Sequence, residues 1–254
     1  MYHHGNDSGW DNGTVFDVGF PVKAPDLAAF AIVQMDVLAD VAGRLGKHSH
    51  ARRWRRRADA AMAKLMGSLW RGDRFVCTRA ADGAVAEKSD SVFNCLPIVL
   101  ARRLPAEVRG QLARTIRRHL TPYGPATENV SSPLYSDDGY WRGPIWAPPT
   151  LILADGLRRA GEAALAMQVA RRFCNLVRKS GMAENFNART GAPLRDRAYT
   201  WTSSTFLILA HEYLQRSPKG CDQSAQAPAW GPKGPGAPCG GNALGGGTVR
   251  IMKP

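Results

Sequence analysis

Hydrophobic residues recur at helical spacing through most of residues 1–216, and this periodicity constrains the fold more than any other feature of the sequence. In the first such segment, Leu27, Ala31, Met35 and Leu38 fall on one face of a helix. Short loops separate several of the segments, so consecutive helices are expected to pack antiparallel. The pattern predicts an all-α fold of about seven helices, with one short β-hairpin at residues 74–83. The predicted helices span residues 26–43, 49–72, 89–104, 105–120, 144–159, 162–179 and 202–214.

The composition changes abruptly after Leu214. Residues 217–254 are rich in glycine and proline and carry almost no periodic hydrophobic residues. Such a segment buries too little apolar surface to offset the conformational entropy that it would lose on folding. We therefore predict a helical domain at residues 1–216 and a disordered tail at residues 217–254.

The chain carries a formal net charge of +13, which raises the question of nucleic-acid binding. The densest basic cluster, at residues 52–57, lies inside a helical pattern with Trp54, Ala58 and Leu65 as apolar partners. Arginine on the solvent face of an amphipathic helix explains this cluster, and no sequence motif of an RNA-binding or zinc-finger domain accompanies it. We therefore predict no nucleic-acid partner, although the charge by itself leaves that alternative open.

Compartment and membrane association can also be predicted from the sequence. No apolar stretch reaches the roughly 18–20 residues that a membrane-spanning helix needs, so no membrane association is expected. The five cysteines are scattered and show no metal-binding spacing, which favours a reducing compartment over a disulfide framework or a zinc site. The first residues lack the basic and apolar parts of a secretory signal, so a cytoplasmic location is expected.

Three polar loops that contain aromatic residues lie between the predicted helices. They span residues 4–13, 140–146 and 183–202, and they hold four of the seven tryptophans. Tryptophan beside carboxylates, amides and arginine is typical of sugar sites, where the ring stacks on the sugar and polar groups bind its hydroxyls. Each loop by itself also has an ordinary explanation, since Asn12 and Gly13 suit a turn and Pro144 suits the first turn of a helix.

Four motifs in this order carry a resemblance to a known family. They are SGWDN at residues 8–12, YWRGPIW at 140–146, ENFNARTG at 184–191 and TWTSS at 200–204. Together they resemble the catalytic domain of family 63 glycoside hydrolases and the related mannosylglycerate-hydrolase-like enzymes. The resemblance covers almost all of residues 4–215 and implies the (α/α)6 toroid that these enzymes share with trehalases and glucoamylases.

By the same resemblance, Asp11 is expected to be the general acid and Glu184 the general base of an inverting α-glycosidase. Inversion needs one protonated carboxyl group at the leaving oxygen and one carboxylate that activates water on the opposite face of the sugar. This implies a glucosyl- or mannosyl-containing saccharide as substrate, and neither a metal ion nor an organic cofactor in the chemistry. The residues expected to bind the substrate are Trp10, Asn12, Trp141, Arg142, Trp146 and Trp201.

The position of the first motif predicts an incomplete toroid. In the family several helices precede the acid loop, whereas here that loop begins near Met1, and about seven helices are predicted where a closed toroid has twelve. Helix faces left uncovered are expected to favour self-association and to leave this chain with little activity by itself. The alternative to a glycosidase is a catalytically inactive helical remnant that acts as a sugar-binding or subunit-interaction module.

Overall fold

Six α-helices and five short strands make up the computed structural model over residues 1–215, which are the residues that the structure describes. The helices are α1 (Pro25–Arg44), α2 (His48–Leu69), α3 (Ala106–His119), α4 (Ala147–Ala160), α5 (Ala163–Ser180) and α6 (Thr200–Leu209). The strands are β1 (Val22–Lys23), β2 (Thr78–Arg79), β3 (Ile145–Trp146), β4 (Asn185–Phe186) and β5 (Pro193–Leu194). The predicted predominantly helical fold is confirmed, and the predicted tail at residues 217–254 lies outside the described residues.

Shorter helical segments complete this part of the chain. Segments of 3-10 helix lie at Gly5–Ser8, Thr14–Phe16 and Val92–Arg103, and a π-helix at Ala210–Gln215 follows α6 directly. The segment Val92–Arg103 occupies most of the predicted helix at residues 89–104, but it is not α-helical. Pro97 lacks the N–H group that an α-helix needs inside its ladder, and Ala101 has a φ of +50°, so a regular α-helix cannot run through both positions.

The β-hairpin predicted at residues 74–83 is wrong in its pairing. The strand β2 pairs antiparallel with β1, so that Val22 lies opposite Arg79 and Lys23 lies opposite Thr78. A turn follows, in which the N–H of Arg79 donates a hydrogen bond to the carbonyl of Ala84. The sequence pattern identified an extended segment, but its partner strand comes from near the start of the chain.

The helices pack around one hydrophobic core. In α5, for example, Leu165, Val169, Phe173 and Val177 recur every four residues and are all buried, while Gly181 at a φ of +82° ends the helix. α1 packs against α2, and α4 packs against α5, each pair being joined by a short loop. The segment Val92–Arg103 contacts both α1 and α4, and α6 contacts α4 and α5.

Helix α1 is apolar on two faces. One face is buried against α2 and the rest of the core, and the other leaves large hydrophobic side chains between 36% and 47% exposed. Leu45, directly after the helix, is 66% exposed. We call these five residues the α1 stripe: Leu27, Phe30, Val37, Val41 and Leu45. The five arginines at residues 52–57 of α2 are also exposed, as expected for a solvent face. Among the described helices, none combines the length and hydropathy needed to cross a membrane.

A small antiparallel sheet positions two of the three polar loops. β4 pairs with β3, with Trp146 opposite Asn185, and β5 pairs with the other edge of β4. Since β3 ends the motif at residues 140–146 and β4 begins directly after Glu184, the sheet joins these two loops.

Candidate active site

Contacts within the acid loop hold the backbone around Asp11 in place. The hydroxyl of Ser8 donates a hydrogen bond to the carbonyl of Gly5 at 2.7 Å and accepts one from the N–H of Trp10 at 3.0 Å. Gly5 is buried against the main chain of Asp11, where a Cβ atom would overlap the Asp11 carbonyl group. This close approach explains the glycine and fixes the backbone of Asp11, whose side chain is half-buried.

Asn12 joins the acid loop to the loop at residues 139–142. Its side-chain oxygen accepts a hydrogen bond from the N–H of Trp141 at 3.0 Å, and its amide nitrogen donates one to the carbonyl of Gly139 at 3.1 Å. Both ends of the amide group are thus used to set the distance between the two loops.

Arg142 makes a second connection between the same loops. Its guanidinium group donates two hydrogen bonds to the carboxylate of Asp17, at 2.8 Å and 2.9 Å, and a longer one to the carbonyl of Asn12 at 3.4 Å. The contact with Asp17 raises the pKa of Arg142 above its ordinary value. A two-pronged pair of this kind fixes orientation as well as distance.

A buried glutamate supports the acid loop from another side. Glu128 is fully buried, and its carboxylate accepts hydrogen bonds from the hydroxyls of Thr14 and Ser132, both at 2.6 Å. The same carboxylate also accepts one from the N–H of Asp90 at 2.8 Å. Glu128 cannot be recognised from the sequence, because its role depends on partners from three separate segments.

Three of the four loop tryptophans form one buried stack. The rings of Trp141 and Trp146 lie parallel at 4.0 Å, and Trp10 lies 4.8 Å from Trp141. Trp146 is fully buried, and Trp10 and Trp141 are 6% and 4% exposed. The indole N–H of Trp146 donates a hydrogen bond to the carbonyl of Tyr140 at 2.9 Å. The stack therefore supports Tyr140 from inside the protein, and contact of these three rings with a sugar stays a prediction.

Glu184 is held by main-chain contacts at the start of β4. Its N–H donates a hydrogen bond to the carbonyl of Asp196 at 2.8 Å, and its carbonyl accepts one from the indole of Trp201 at 3.4 Å. Both contacts use main-chain atoms of Glu184, so its carboxylate is available to other partners. Trp201 is half-buried beside it, with its ring 5.5 Å from Trp146.

Tyr140 connects the two predicted catalytic acids. Its hydroxyl donates a hydrogen bond to Glu184 Oε1 at 3.4 Å. Burial raises the pKa of Tyr140, and the negative charges of Glu184 and then Asp11 raise it further. Both carboxylates therefore act on one phenol. Tyr140 was not among the residues predicted for the site, although its place as the first residue of YWRGPIW was a signal that it belongs there.

The predicted site residues thus meet at one place but differ in their contacts. Asp11 and Glu184 both lie close to Tyr140, and Trp201 lies beside Glu184. The side chains of Asn12 and Arg142 are already hydrogen-bonded to other protein groups. Within residues 1–215, no cluster of three or more His, Cys, Asp or Glu side chains is arranged to hold a metal ion.

A family model supports the resemblance seen in the sequence motifs. The model of the mannosylglycerate hydrolase MGH1-like glycoside hydrolase domain matches residues 1–202. The chain belongs to this family. Mannosylglycerate hydrolase MGH1 of Selaginella moellendorffii is 29% identical to it over 175 residues, which cover 67% of this chain and 34% of that protein. The chain therefore spans about a third of the length of this curated relative.

Solved structures of other proteins share the fold of this chain. The GH63 mannosylglycerate hydrolase from Thermus thermophilus, in complex with glucose, matches with a TM-score of 0.65 and 20% identity. This match covers 75% of the present chain and 48% of the Thermus chain. The neutral trehalase Nth1 from Saccharomyces cerevisiae matches with a TM-score of 0.61 and 14% identity, over 77% of this chain and 38% of the trehalase. The chain therefore shares the helical toroid fold of the Thermus enzyme, and it matches about half of that enzyme's length.

Proposed function

We propose that this chain supplies the general acid and the general base of an inverting α-glycosidase, with Asp11 as the acid and Glu184 as the base. The observation that supports this most is the hydrogen bond from the hydroxyl of Tyr140 to Glu184 Oε1, because the charge of Asp11 also raises the pKa of this same phenol. Hydrolysis of a glycosidic bond with inversion requires two carboxyl groups on opposite sides of the bond that breaks. Family membership supports the same reaction class.

In this mechanism Asp11 donates a proton to the glycosidic oxygen as the bond to the anomeric carbon breaks. Glu184 accepts a proton from a water molecule that attacks the anomeric carbon from the opposite face, so the configuration inverts. The hydrogen bond from Tyr140 to Glu184 Oε1 helps to hold the carboxylate in position for the attacking water. Trp201, the half-exposed tryptophan beside Glu184, is proposed to form a wall for the sugar ring.

Asn12 and Arg142 are proposed to act mainly by holding the loops in register. Their side chains connect the acid loop to the loop that carries Tyr140, so they set the position of Asp11 relative to that tyrosine. Trp10, Trp141 and Trp146 are proposed to support the same loop through their stack. Direct hydrogen bonds from Asn12 or Arg142 to a sugar would require these protein contacts to open.

The proposed substrate is a saccharide that contains a glucosyl or mannosyl unit. The relatives named mannosylglycerate hydrolases, one of them solved with glucose, favour this class. A cytoplasmic location also stays a proposal. The first substrates to test are mannosylglycerate and the aryl α-mannosides and α-glucosides.

The deciding experiment measures sugar release and the anomeric form of the product by NMR. In a form of the protein that hydrolyses a saccharide, Asp11→Asn and Glu184→Gln are each expected to lower turnover by about 10²- to 10⁴-fold, because each removes a proton-transfer group. Glu87→Gln, which changes an exposed glutamate in the same way, is the matched control and should retain turnover. Near wild-type turnover in either active-site variant, or retention of the anomeric configuration, would contradict the assignment.

A second candidate function is a subunit-interaction or sugar-binding module without catalysis. The α1 stripe favours an interaction module, because five large apolar side chains on α1 and directly after it stay exposed in the described residues. Saccharide binding without hydrolysis, measured by tryptophan fluorescence, would support this second function and contradict the first.

A further inference from the structure

Strained backbone is concentrated beside Glu184. In residues 1–215, the non-glycine residues with positive φ are Ala101 at +50°, Tyr140 at +63° and Arg195 at +62°. Two of these three face each other, since the guanidinium carbon of Arg195 lies 5.6 Å from the centre of the Tyr140 ring. Such conformations are costly for residues with a side chain, persist only where surrounding contacts enforce them, and cluster at functional sites.

The contacts of Arg195 show what enforces the conformation. Its guanidinium group pairs with the carboxylate of Asp138 at 2.8 Å and donates a hydrogen bond to the carbonyl of the same residue at 3.2 Å. Asp138 precedes Tyr140 by two residues, and Arg195 precedes Asp196, whose carbonyl binds the N–H of Glu184. Arg195 therefore connects the loop that carries Tyr140 to the loop that carries Glu184.

A neighbouring arginine has the same chemistry without the link to Glu184. Arg189 lies 3.8 Å from Asp137 and sits over the ring of Tyr135 at 4.8 Å. Arg189 has an ordinary backbone conformation, and the hydrogen bond to Glu184 comes from Tyr140 rather than Tyr135. The chain thus contains its own matched control.

We propose that Arg195 is a positioning residue, which holds Tyr140 in its left-handed conformation with its hydroxyl on Glu184. The contact over the ring and the pair with Asp138 fix the two loops relative to each other. Its effect on catalysis rests on the proposed function of Glu184, whereas its effect on Tyr140 does not.

The first test compares Arg195→Gly with Arg189→Ala in the full chain. Glycine accepts the left-handed conformation without strain, so Arg195→Gly should melt at or above the temperature of Arg195→Ala. Its kcat should nevertheless fall about 10- to 100-fold with little change in KM, because Glu184 loses its fixed partner. Arg189→Ala should keep kcat within about twofold of wild type, because the contacts of Arg189 with Asp137 and Tyr135 do not involve Glu184.

The second test needs no hydrolysis. The phenol of Tyr140 is titrated by ultraviolet absorbance. For each protein, the titration curve of the same protein carrying Tyr140→Phe is subtracted, so that only the signal of Tyr140 remains. Removing the Arg195 cation by itself would raise the pKa of Tyr140, whereas moving Tyr140 away from Glu184 and Asp11 would lower it. A lower pKa in Arg195→Gly, and an unchanged one in Arg189→Ala, is the expected result.

The outcomes separate the two proposals. An unchanged or raised Tyr140 pKa together with wild-type kcat in Arg195→Gly would overturn the positioning role. A lowered pKa in a chain that hydrolyses no glycoside would support the positioning role while the glycosidase function fails. Equal losses of kcat in Arg195→Gly and Arg189→Ala would also overturn it, because only Arg195 touches Tyr140.

Discussion

Replacing Asp26 with asparagine is predicted to make the stability of this protein less dependent on pH. Asp26 lies in the first turn of α1 and is 2% exposed. Its Oδ2 accepts a hydrogen bond from the hydroxyl of Tyr2 at 2.8 Å, while its Oδ1 has no hydrogen-bond partner. Burial raises the pKa of this carboxyl group from 3.8 to about 6. The folded protein therefore holds the Asp26 proton more tightly than the unfolded chain does.

The sign and size of the effect follow from this difference in pKa. Between about pH 4 and pH 6 the folded state binds more protons at Asp26 than the unfolded state, so the contribution of Asp26 to the free energy of unfolding falls as the pH rises. A difference of about two pH units corresponds to about 3 kcal/mol. Asparagine cannot ionise but keeps an oxygen that accepts the Tyr2 hydrogen bond. The free energy of unfolding of Asp26→Asn, relative to wild type, should therefore rise by about 2 kcal/mol from pH 4 to pH 7, the rest of the difference lying below pH 4.

Urea unfolding followed by tryptophan fluorescence at pH 4, 5, 6 and 7 measures this difference. Asp40→Asn on the same helix is the matched control, because the Asp40 side chain is 68% exposed and lies 3.7 Å from Arg55. The control should run parallel to wild type across the pH range. A difference between Asp26→Asn and wild type that stays constant within about 0.5 kcal/mol from pH 4 to pH 7 would refute the reasoning, since it would mean that burial of ionised Asp26 costs nothing.

Arg142→Lys keeps the positive charge but loses the two-pronged contact with Asp17, so the thermal midpoint should fall by about 2–4 °C and kcat should fall; an unchanged midpoint and kcat would contradict the loop-holding role. Val37→Glu combined with Val41→Lys makes the α1 stripe polar and should reduce concentration-dependent self-association in light scattering, and an apparent mass equal to that of wild type at every concentration would speak against the stripe as an interface. Removal of residues 217–254 should leave the thermal midpoint unchanged in calorimetry, whereas a clear drop would show that the segment packs on the helical domain.

Local sequence patterns identify most of the helices of this chain. The predicted helices at residues 26–43, 49–72, 105–120 and 162–179 agree with α1, α2, α3 and α5 to within a few residues. An amphipathic helix buries one face whatever it packs against, so its spacing is visible in the sequence alone. The segment at residues 89–104 departs from this rule, because Pro97 and the left-handed Ala101 exclude an α-helix while the hydrophobic spacing persists.

The four motifs likewise place the chain in its family and select Asp11 and Glu184, because those residues stand in short, recognisable strings. Which side chains surround them is decided by contacts between distant segments. Tyr140 reaches Glu184, and Asn12 reaches Trp141, only because the β3–β4 pairing and the loop contacts bring these segments together. The burial of Trp146 and the pairing of Arg195 with Asp138 depend on the same packing. Residue type and local spacing fix neither, since hydrogen-bond partners and solvent exposure are properties of the assembled tertiary structure.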